Sequence, residues 1–194
     1  MSGDHLLKRA IDILACLLLL PLAVPTSLIL MLVIRAESRG SPLFVQLRVG
    51  RGLRTFRMLK LRTMASGTPD LPSHEVGFDR ITRVGRFLRR SKLDELPQLL
   101  NIIGGTMSLV GPRPCLPAQA ELIEARKARD LFRLRPGVTG PAQLLGVDMS
   151  EPVRLAEIEA DYFRRATAWS DLRLILGTLF GGGAGDAAPR PRDR

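Results

Sequence analysis

The feature that most limits what this chain can become is the run from Ile13 to Ile34. It contains no charged residue and is dominated by Leu, Ile and Val. As a helix, such a run matches the roughly 20 apolar residues that cross a bilayer core. A secretory signal would have a shorter apolar core and a small-residue cleavage site. The segment that follows, IRAESRG, is a poor site. Two readings stay open, a straight span and a re-entrant hairpin. Pro21 and Pro25 lie in the middle of the run. Each removes a backbone donor and crowds the preceding turn, so together they should bend the helix sharply. Lys8 and Arg9 precede the run, and Arg35 and Arg39 follow it. Positive charge at both ends retains both on the cytoplasmic side. These two observations favour the hairpin.

Beyond Gly40 the chain reads as a basic globular domain. Lys and Arg outnumber Asp and Glu by 29 to 19, a net charge of +10. Such a balance favours a polyanionic partner: nucleic acid, an anionic membrane face or a phosphorylated substrate. With one Trp and one Tyr, stacking platforms for single-stranded nucleic acid are poorly supplied. The two cysteines, Cys16 and Cys115, read as free thiols in a reducing compartment. The only histidines are His5 and His74, which argues against a zinc site or a Ser-His-Asp triad.

SPLFVQLRVG and LRTFRMLKLRTM alternate apolar and polar residues around Gly50-Arg51-Gly52 and predict a β-hairpin. Strict alternation puts Lys60 and Arg62 on one face. Residues 65–77 read as a polar Pro/Gly loop. DRITRVGRFLRR predicts a basic amphipathic helix suited to a membrane interface. MSLVGPRPCLP reads as turns, PAQAELIEARKARDLFRLR as a helix and RPGVTGPAQLLG as a loop. Pro152 should open a helix through EPVRLAEIEADYFRRA. WSDLRLILGTLF places Trp169, Leu172, Leu176 and Leu179 on one face, and GGGAGDAAPRPRDR predicts a disordered tail.

Within this basic chain, SKLDELPQLLNIIGG sets two adjacent carboxylates, Asp94 and Glu95, just after Arg83, Arg86, Arg89, Arg90 and Lys92. A plain account exists. Ser91-x-x-Asp94 resembles a capping box, and Asp94 could itself be the N-cap of a helix with Pro97 in its first turn. The chemical account is that neighbouring cations hold the carboxylate ionised. An ionised carboxylate can attack phosphorus or ligate Mg²⁺, and phosphoryl chemistry needs cations around the transferred group. Read this way, the residues describe a membrane-attached basic domain with one acidic focus, acting on a phosphorylated substrate.

Several motifs in order carry a resemblance. They are KRAIDILACLLLLPLAVP, FVQLRVGRG, FRMLKLRTM, LRRSKLDELPQLLNIIGGTMSLVGPRP, LRPGVTGPAQ and the closing DYF…WSDLRLIL. From about Lys8 to Leu179 the chain resembles the small monotopic phosphoglycosyl transferases. These are also called bacterial sugar transferases or undecaprenyl-phosphate sugar phosphotransferases, and the chain looks like their minimal catalytic form. The resemblance implies transfer of a sugar-1-phosphate from a nucleotide-diphosphate sugar, usually UDP-linked, to a polyprenol phosphate, with release of UMP. It implies a ping-pong course through a covalent aspartyl-phosphosugar, with Mg²⁺ as cofactor, as the first membrane step of glycan assembly.

Residue by residue, the family dyad falls on Asp94 and Glu95, with Asp94 implied as nucleophile and Mg²⁺ ligand and Glu95 as its assistant. Lys60 matches a functional lysine, Arg113 the arginine of the Pro-Arg-Pro motif, and Arg89 an arginine that orders the dyad. Asp161 and Asp171 match acidic positions near the C-terminus. Arg62, beside Lys60, and Gln143, in the PGVTGPAQ run, are taken with them as substrate-binding. Pro25 matches the proline that breaks the family's re-entrant helix. Two departures stand out. Val24 replaces a serine found before that proline in many relatives, and Leu144-Leu145-Gly146-Val147-Asp148 follows Gln143 where many relatives read Val-Asn-Gly-Arg-Asn.

The expected fold is α+β and mostly helical. A helix-break-helix membrane hairpin spans residues 1–36, and a cytoplasmic catalytic domain with a β-hairpin and interfacial helices spans 37–180. The tail covers 181–194. Expected partners are the nucleotide-diphosphate sugar, polyprenol phosphate and the phospholipid of the bacterial inner membrane, with no nucleic acid; a homodimer is compatible. A competing reading keeps the fold as a basic membrane-anchored binding module without catalysis.

Overall fold

The computed structural model describes residues 2–68 and 80–179. The predicted tail and most of the predicted 65–77 loop, with His74, lie outside the described residues. The chain opens with α1, Ser2–Glu37. A hairpin follows, β1 Leu43–Val49 and β2 Thr55–Leu61. Next come α2 Arg83–Ser91, α3 Gln98–Ile103, β3 Ser108–Val110 and α4 Ala120–Lys127. The chain then forms β4 Gly137–Thr139, α5 Pro141–Leu144, α6 Pro152–Arg164 and α7 Ala168–Leu179. The mixed helix-and-sheet class expected from the sequence holds.

Among the described residues, α1 is the one helix long and apolar enough to cross a membrane, with mean hydropathy 2.6. Its 36 residues give a length of about 54 Å at 1.5 Å per residue. Both prolines lie inside one continuous element, so the expected break does not divide it. A proline can bend a helix without ending it, because it costs a single ladder bond. One stripe faces protein: Asp12, Cys16, Ala23 and Ile34 are buried, at helical spacing. The opposite face is apolar and bare, with Leu14, Leu18, Leu22, Ile29 and Leu32 exposed.

Polar contacts fix both ends of α1 to the same body. Near its start, Arg9 donates to the carbonyls of Ile102 (2.6 Å) and Ile103 (3.0 Å). Asp12 accepts from Ser108 Oγ (2.8 Å) and from the Leu109 N–H (3.1 Å). At its far end the Glu37 carboxylate accepts the Val84 N–H at 3.2 Å. Just beyond, Arg62 donates to the carbonyls of Ser38 (2.7 Å) and Arg39 (2.8 Å).

The hairpin is antiparallel, pairing Phe44 with Lys60, Gln46 with Met58 and Arg48 with Phe56. Alternation therefore sets Phe44, Gln46, Arg48, Phe56, Met58 and Lys60 on one face. Asn101 of α3 holds the backbone of β2, accepting the Leu59 N–H (3.0 Å) and donating to the Arg57 carbonyl (2.8 Å). Phe56, Met58, Leu99, Ile102 and Met107 form the core beneath, joined by Cys16 of α1.

Two segments read as turns and loop contain strands. β3 and β4 pair in parallel, Ser108 with Gly137 and Val110 with Thr139. Three-residue strands show no periodicity, and this pairing depends on close backbone approach. A Cβ on Gly137 would stand 2.1 Å from the Gly111 nitrogen. The helix predicted through Arg135 ends at Lys127 instead, because Asp130 takes a left-handed conformation (φ 53).

Candidate active site

Neither carboxylate occupies the N-cap position of a helix. Lys92 takes the left-handed conformation (φ 58) that closes α2, and Leu93–Glu95 forms a single 3-10 turn before α3. The residues that precede that turn and α3, Lys92 and Pro97, make no side-chain cap. Ser91 turns back to the carbonyls of Phe87 (2.9 Å) and Leu88 (3.2 Å). Neither Ser91 nor Asp94 is therefore the N-cap residue expected from the sequence, and Asp94 is buried, 5% exposed.

Asp94 lines a cavity of about 270 Å³. Leu43, Phe44, Leu61 and Met64 give that cavity an apolar side, and Arg48, Lys60, Arg62 and Arg89 a cationic one. Glu95 lines a smaller crevice with Gln98, Arg113 and Pro114. Lys60 and Arg48 line both spaces. Glu95 Oε1 is 3.3 Å from Lys60 Nζ and 4.0 Å from Arg113 Nη2. The adjacent carboxylates thus serve different spaces, Asp94 the roomy one and Glu95 a crevice between two cations.

Close packing brings Arg89 to the cavity. The Thr82 hydroxyl caps α2, accepting the Gly85 N–H at 2.9 Å. A Cβ on Gly85 would lie 1.9 Å from the Thr63 carbonyl oxygen, so the approach needs glycine. Arg89 Nε then donates to Thr63 Oγ1 at 2.9 Å. The sequence reading missed Arg48 and Gln46. Both are buried, and Arg48 Nε donates to Gln46 Oε1 at 2.8 Å. Their signal was available: both alternate in β1 with Phe44, onto the face that carries Lys60 of β2.

The bacterial sugar transferase family model matches residues 3–182. This chain belongs to the bacterial sugar transferase family. The transferase is 43% identical over 181 residues to the UDP-glucose:undecaprenyl-phosphate glucose-1-phosphate transferase of Caulobacter vibrioides, covering 89% of this chain and 68% of that protein. It is 36% identical to the Escherichia coli K12 protein of the same name, covering 97% of this chain and 43% of the relative. To the exopolysaccharide production protein PSS of Rhizobium leguminosarum it is 37% identical, covering 91% of this chain and 94% of the relative. The chain thus spans about two thirds of the first relative, less than half of the second and almost all of the third.

The structure gathers Asp94, Glu95, Lys60, Arg62, Arg89 and Arg113 around these two spaces. Arg62 also ties β2 to the end of α1. Gln143, Asp161 and Asp171 line neither space. Gln143 Nε2 donates to the Val138 carbonyl at 3.3 Å. Asp161 is exposed on α6 and pairs with Arg164 at 2.6 Å. Asp171 bonds Lys8 of α1 and accepts from the Tyr162 hydroxyl at 2.8 Å. Lys8 and Arg9 thus both act as docking groups of α1. Behind the dyad, Lys92 donates to the Thr178 carbonyl of α7 at 3.0 Å, and burial pushes its ammonium below the ordinary lysine value.

The resemblance implies Mg²⁺. Among the described residues no group of three or more His, Cys, Asp or Glu stands ready to hold a metal. Two adjacent carboxylates beside an anion-attracting cavity fit an ion that takes one or two protein ligands and fills its shell with water and substrate phosphate oxygens.

Proposed function

We propose that this transferase moves a sugar-1-phosphate from a UDP-sugar to undecaprenyl phosphate, releasing UMP, through a covalent intermediate on Asp94. The observation that carries the proposal is the split dyad. Asp94 lines the cavity large enough for a reacting phosphorus centre, while Glu95 is engaged by Lys60 and Arg113.

In the first half-reaction an Asp94 carboxylate oxygen attacks the β-phosphorus of the donor. The bond from that phosphorus to the bridging oxygen breaks, and UMP leaves with the electron pair. In the second, a phosphate oxygen of the polyprenol phosphate attacks the same phosphorus, and Asp94 departs as carboxylate. Lys60, Arg48 and Arg89 line the cavity with Asp94 and would neutralise the charge on the phosphoryl oxygens. Arg113 and Lys60 hold Glu95, which fixes the turn that carries Asp94. When bound, Mg²⁺ would be held by Asp94 and would withdraw charge from the donor diphosphate.

The anchoring of both ends of α1 to one body supports a re-entrant placement. A straight span would carry one end across the bilayer, away from the domain it contacts. Exposed Phe87, Leu100, Trp169, Leu172 and Leu176, with Arg173 stacked 5.4 Å from the Trp169 ring, supply further interfacial groups. We place the catalytic domain on the cytoplasmic face of the inner membrane.

The test is release of UMP from a panel of UDP-sugars with undecaprenyl phosphate and Mg²⁺, beside Asp94→Asn. Lipid-dependent UMP from one donor, lost in the variant, is the expected result. Exchange of labelled UMP into that UDP-sugar without lipid would mark the ping-pong course. No turnover from a folded, membrane-bound protein, or full turnover by Asp94→Asn, overturns the proposal.

A further inference from the structure

The Pro112-Arg113-Pro114 segment contains only one backbone N–H, that of Arg113, since prolines have none. That N–H donates to Glu159 Oε1 at 3.3 Å. The Arg113 carbonyl accepts from Arg126 Nη1 at 2.7 Å. Arg126 and Glu159 are joined by two further bonds, Nε to Oε2 at 2.8 Å and Nη2 to Oε1 at 2.7 Å. Both side chains are 2% exposed. The flanking carbonyls are held as well, Pro112 by the Gly137 N–H (2.9 Å) and Pro114 by Arg48 Nη1 (2.9 Å). Every backbone polar group of the segment is therefore assigned to a partner.

We propose that Arg126 and Glu159 are positioning residues, a buried clamp that fixes the backbone of Arg113 so that its guanidinium meets Glu95 at the active site. The inference rests on the reaction proposed above. A buried ion pair is weak support for stability, because an apolar pair of similar volume is often as stable or more so. This one also grips the segment that presents an active-site cation, from both of that residue's peptide groups. The proline on each side restricts the remaining torsions, so the clamp sets where the Arg113 side chain begins. A displacement of about 1 Å at such a group can cost about a hundredfold in rate.

The test uses the full chain in membranes, with the donor identified by the UDP-sugar panel. Four variants are compared: Arg126→Met with Glu159→Leu, Glu159→Gln, Arg113→Ala, and the first pair combined with Arg113→Ala. Melting temperature, kcat, KM and amide exchange over residues 111–116 are read. The apolar pair should retain or raise the melting temperature while kcat falls about ten- to a hundredfold. Glu159→Gln keeps an acceptor for the Arg113 N–H and should lose less. In the Arg113→Ala background the apolar pair should cost little more, because the clamp acts through Arg113. Wild-type kcat in a folded clamp variant, or losses that multiply with Arg113→Ala, overturns the inference while the reaction stands. If the apolar pair does not fold, Glu159→Gln with and without Arg113→Ala separates the same two outcomes. If wild type transfers nothing, the reaction fails instead, and exchange of the Arg113 amide decides the clamp. Faster exchange in the clamp variants supports it, and unchanged exchange overturns it.

Discussion

At the residue scale, two neighbouring acids on α6 separate what resemblance and structure each suggest. Asp161 matches a family acidic position, yet it is exposed and, among the described residues, pairs with Arg164 in its own helix. Exposed pairs of this kind contribute about 0–1 kcal/mol. Asp161→Asn should therefore leave transfer within about twofold of wild type and the melting temperature nearly unchanged. Glu159, two residues earlier, lies on the buried stripe with Leu155, Ala156 and Ala160. A carboxylate on an apolar helical stripe was the legible signal for it, and Arg126 beside Leu122 and Ala125 on α4 carried the same signal. Lys60 differs from both. It is buried and faces Glu95, so Lys60→Met should lower kcat/KM by about 10²–10³-fold. Arg113 would remain near Glu95, so melting should shift far less than rate. A wild-type rate in Lys60→Met would remove Lys60 from the site.

At the scale of elements, the hairpin, α2, the opening of α6 at Pro152 and α7 were legible because alternation, amphipathic spacing and proline position act locally. β3 and β4 were not, since three residues cannot display a period and their pairing rests on contacts between Gly111 and Gly137 far apart in sequence. The dyad was visible as composition, but its division between two spaces depends on how α2 meets the strand end. Gly85→Ala tests that contact. Its new Cβ would meet the Thr63 carbonyl, so α2 must lift, costing about 1–3 kcal/mol and moving Arg89 from the cavity. Loss of both stability and transfer is expected; a melting temperature equal to wild type would contradict the packing. The junction of α6, α7 and α1 yields a pH prediction. Burial raises the Tyr162 phenol above its ordinary value, and its bond to Asp171 favours the neutral form. A folded state that holds a proton more tightly than the unfolded chain is stabilised fully below the unfolded tyrosine value of about 10 and loses that stability as pH rises above it. Wild type should therefore lose melting temperature faster than Tyr162→Phe above about pH 10. Parallel curves would mean that folding does not raise the phenol above its ordinary value.

At the scale of the whole molecule, the position of α1 decides where the site works. Length and composition admit a straight span. What they omit is that Arg9 and Asp12 near one end, and Glu37 near the other, bond to a single domain. A straight span of that length would separate those two sets of partners across a bilayer, and this is what the proposed re-entrant placement avoids. On the re-entrant placement proposed above, the prolines would let a long apolar helix return to the face it left. The two native cysteines make this measurable. Both are fully buried, and burial also raises the Cys115 thiol above its ordinary value, so little reactive thiolate is available in the folded protein. Cysteines placed at the two ends, Ser2→Cys and Arg39→Cys, should be the sites a membrane-impermeant maleimide reaches. Both should label in inverted inner-membrane vesicles and neither in intact spheroplasts. One end labelling from each side would establish a straight span, and with it the contacts at one end of α1 would have to be abandoned.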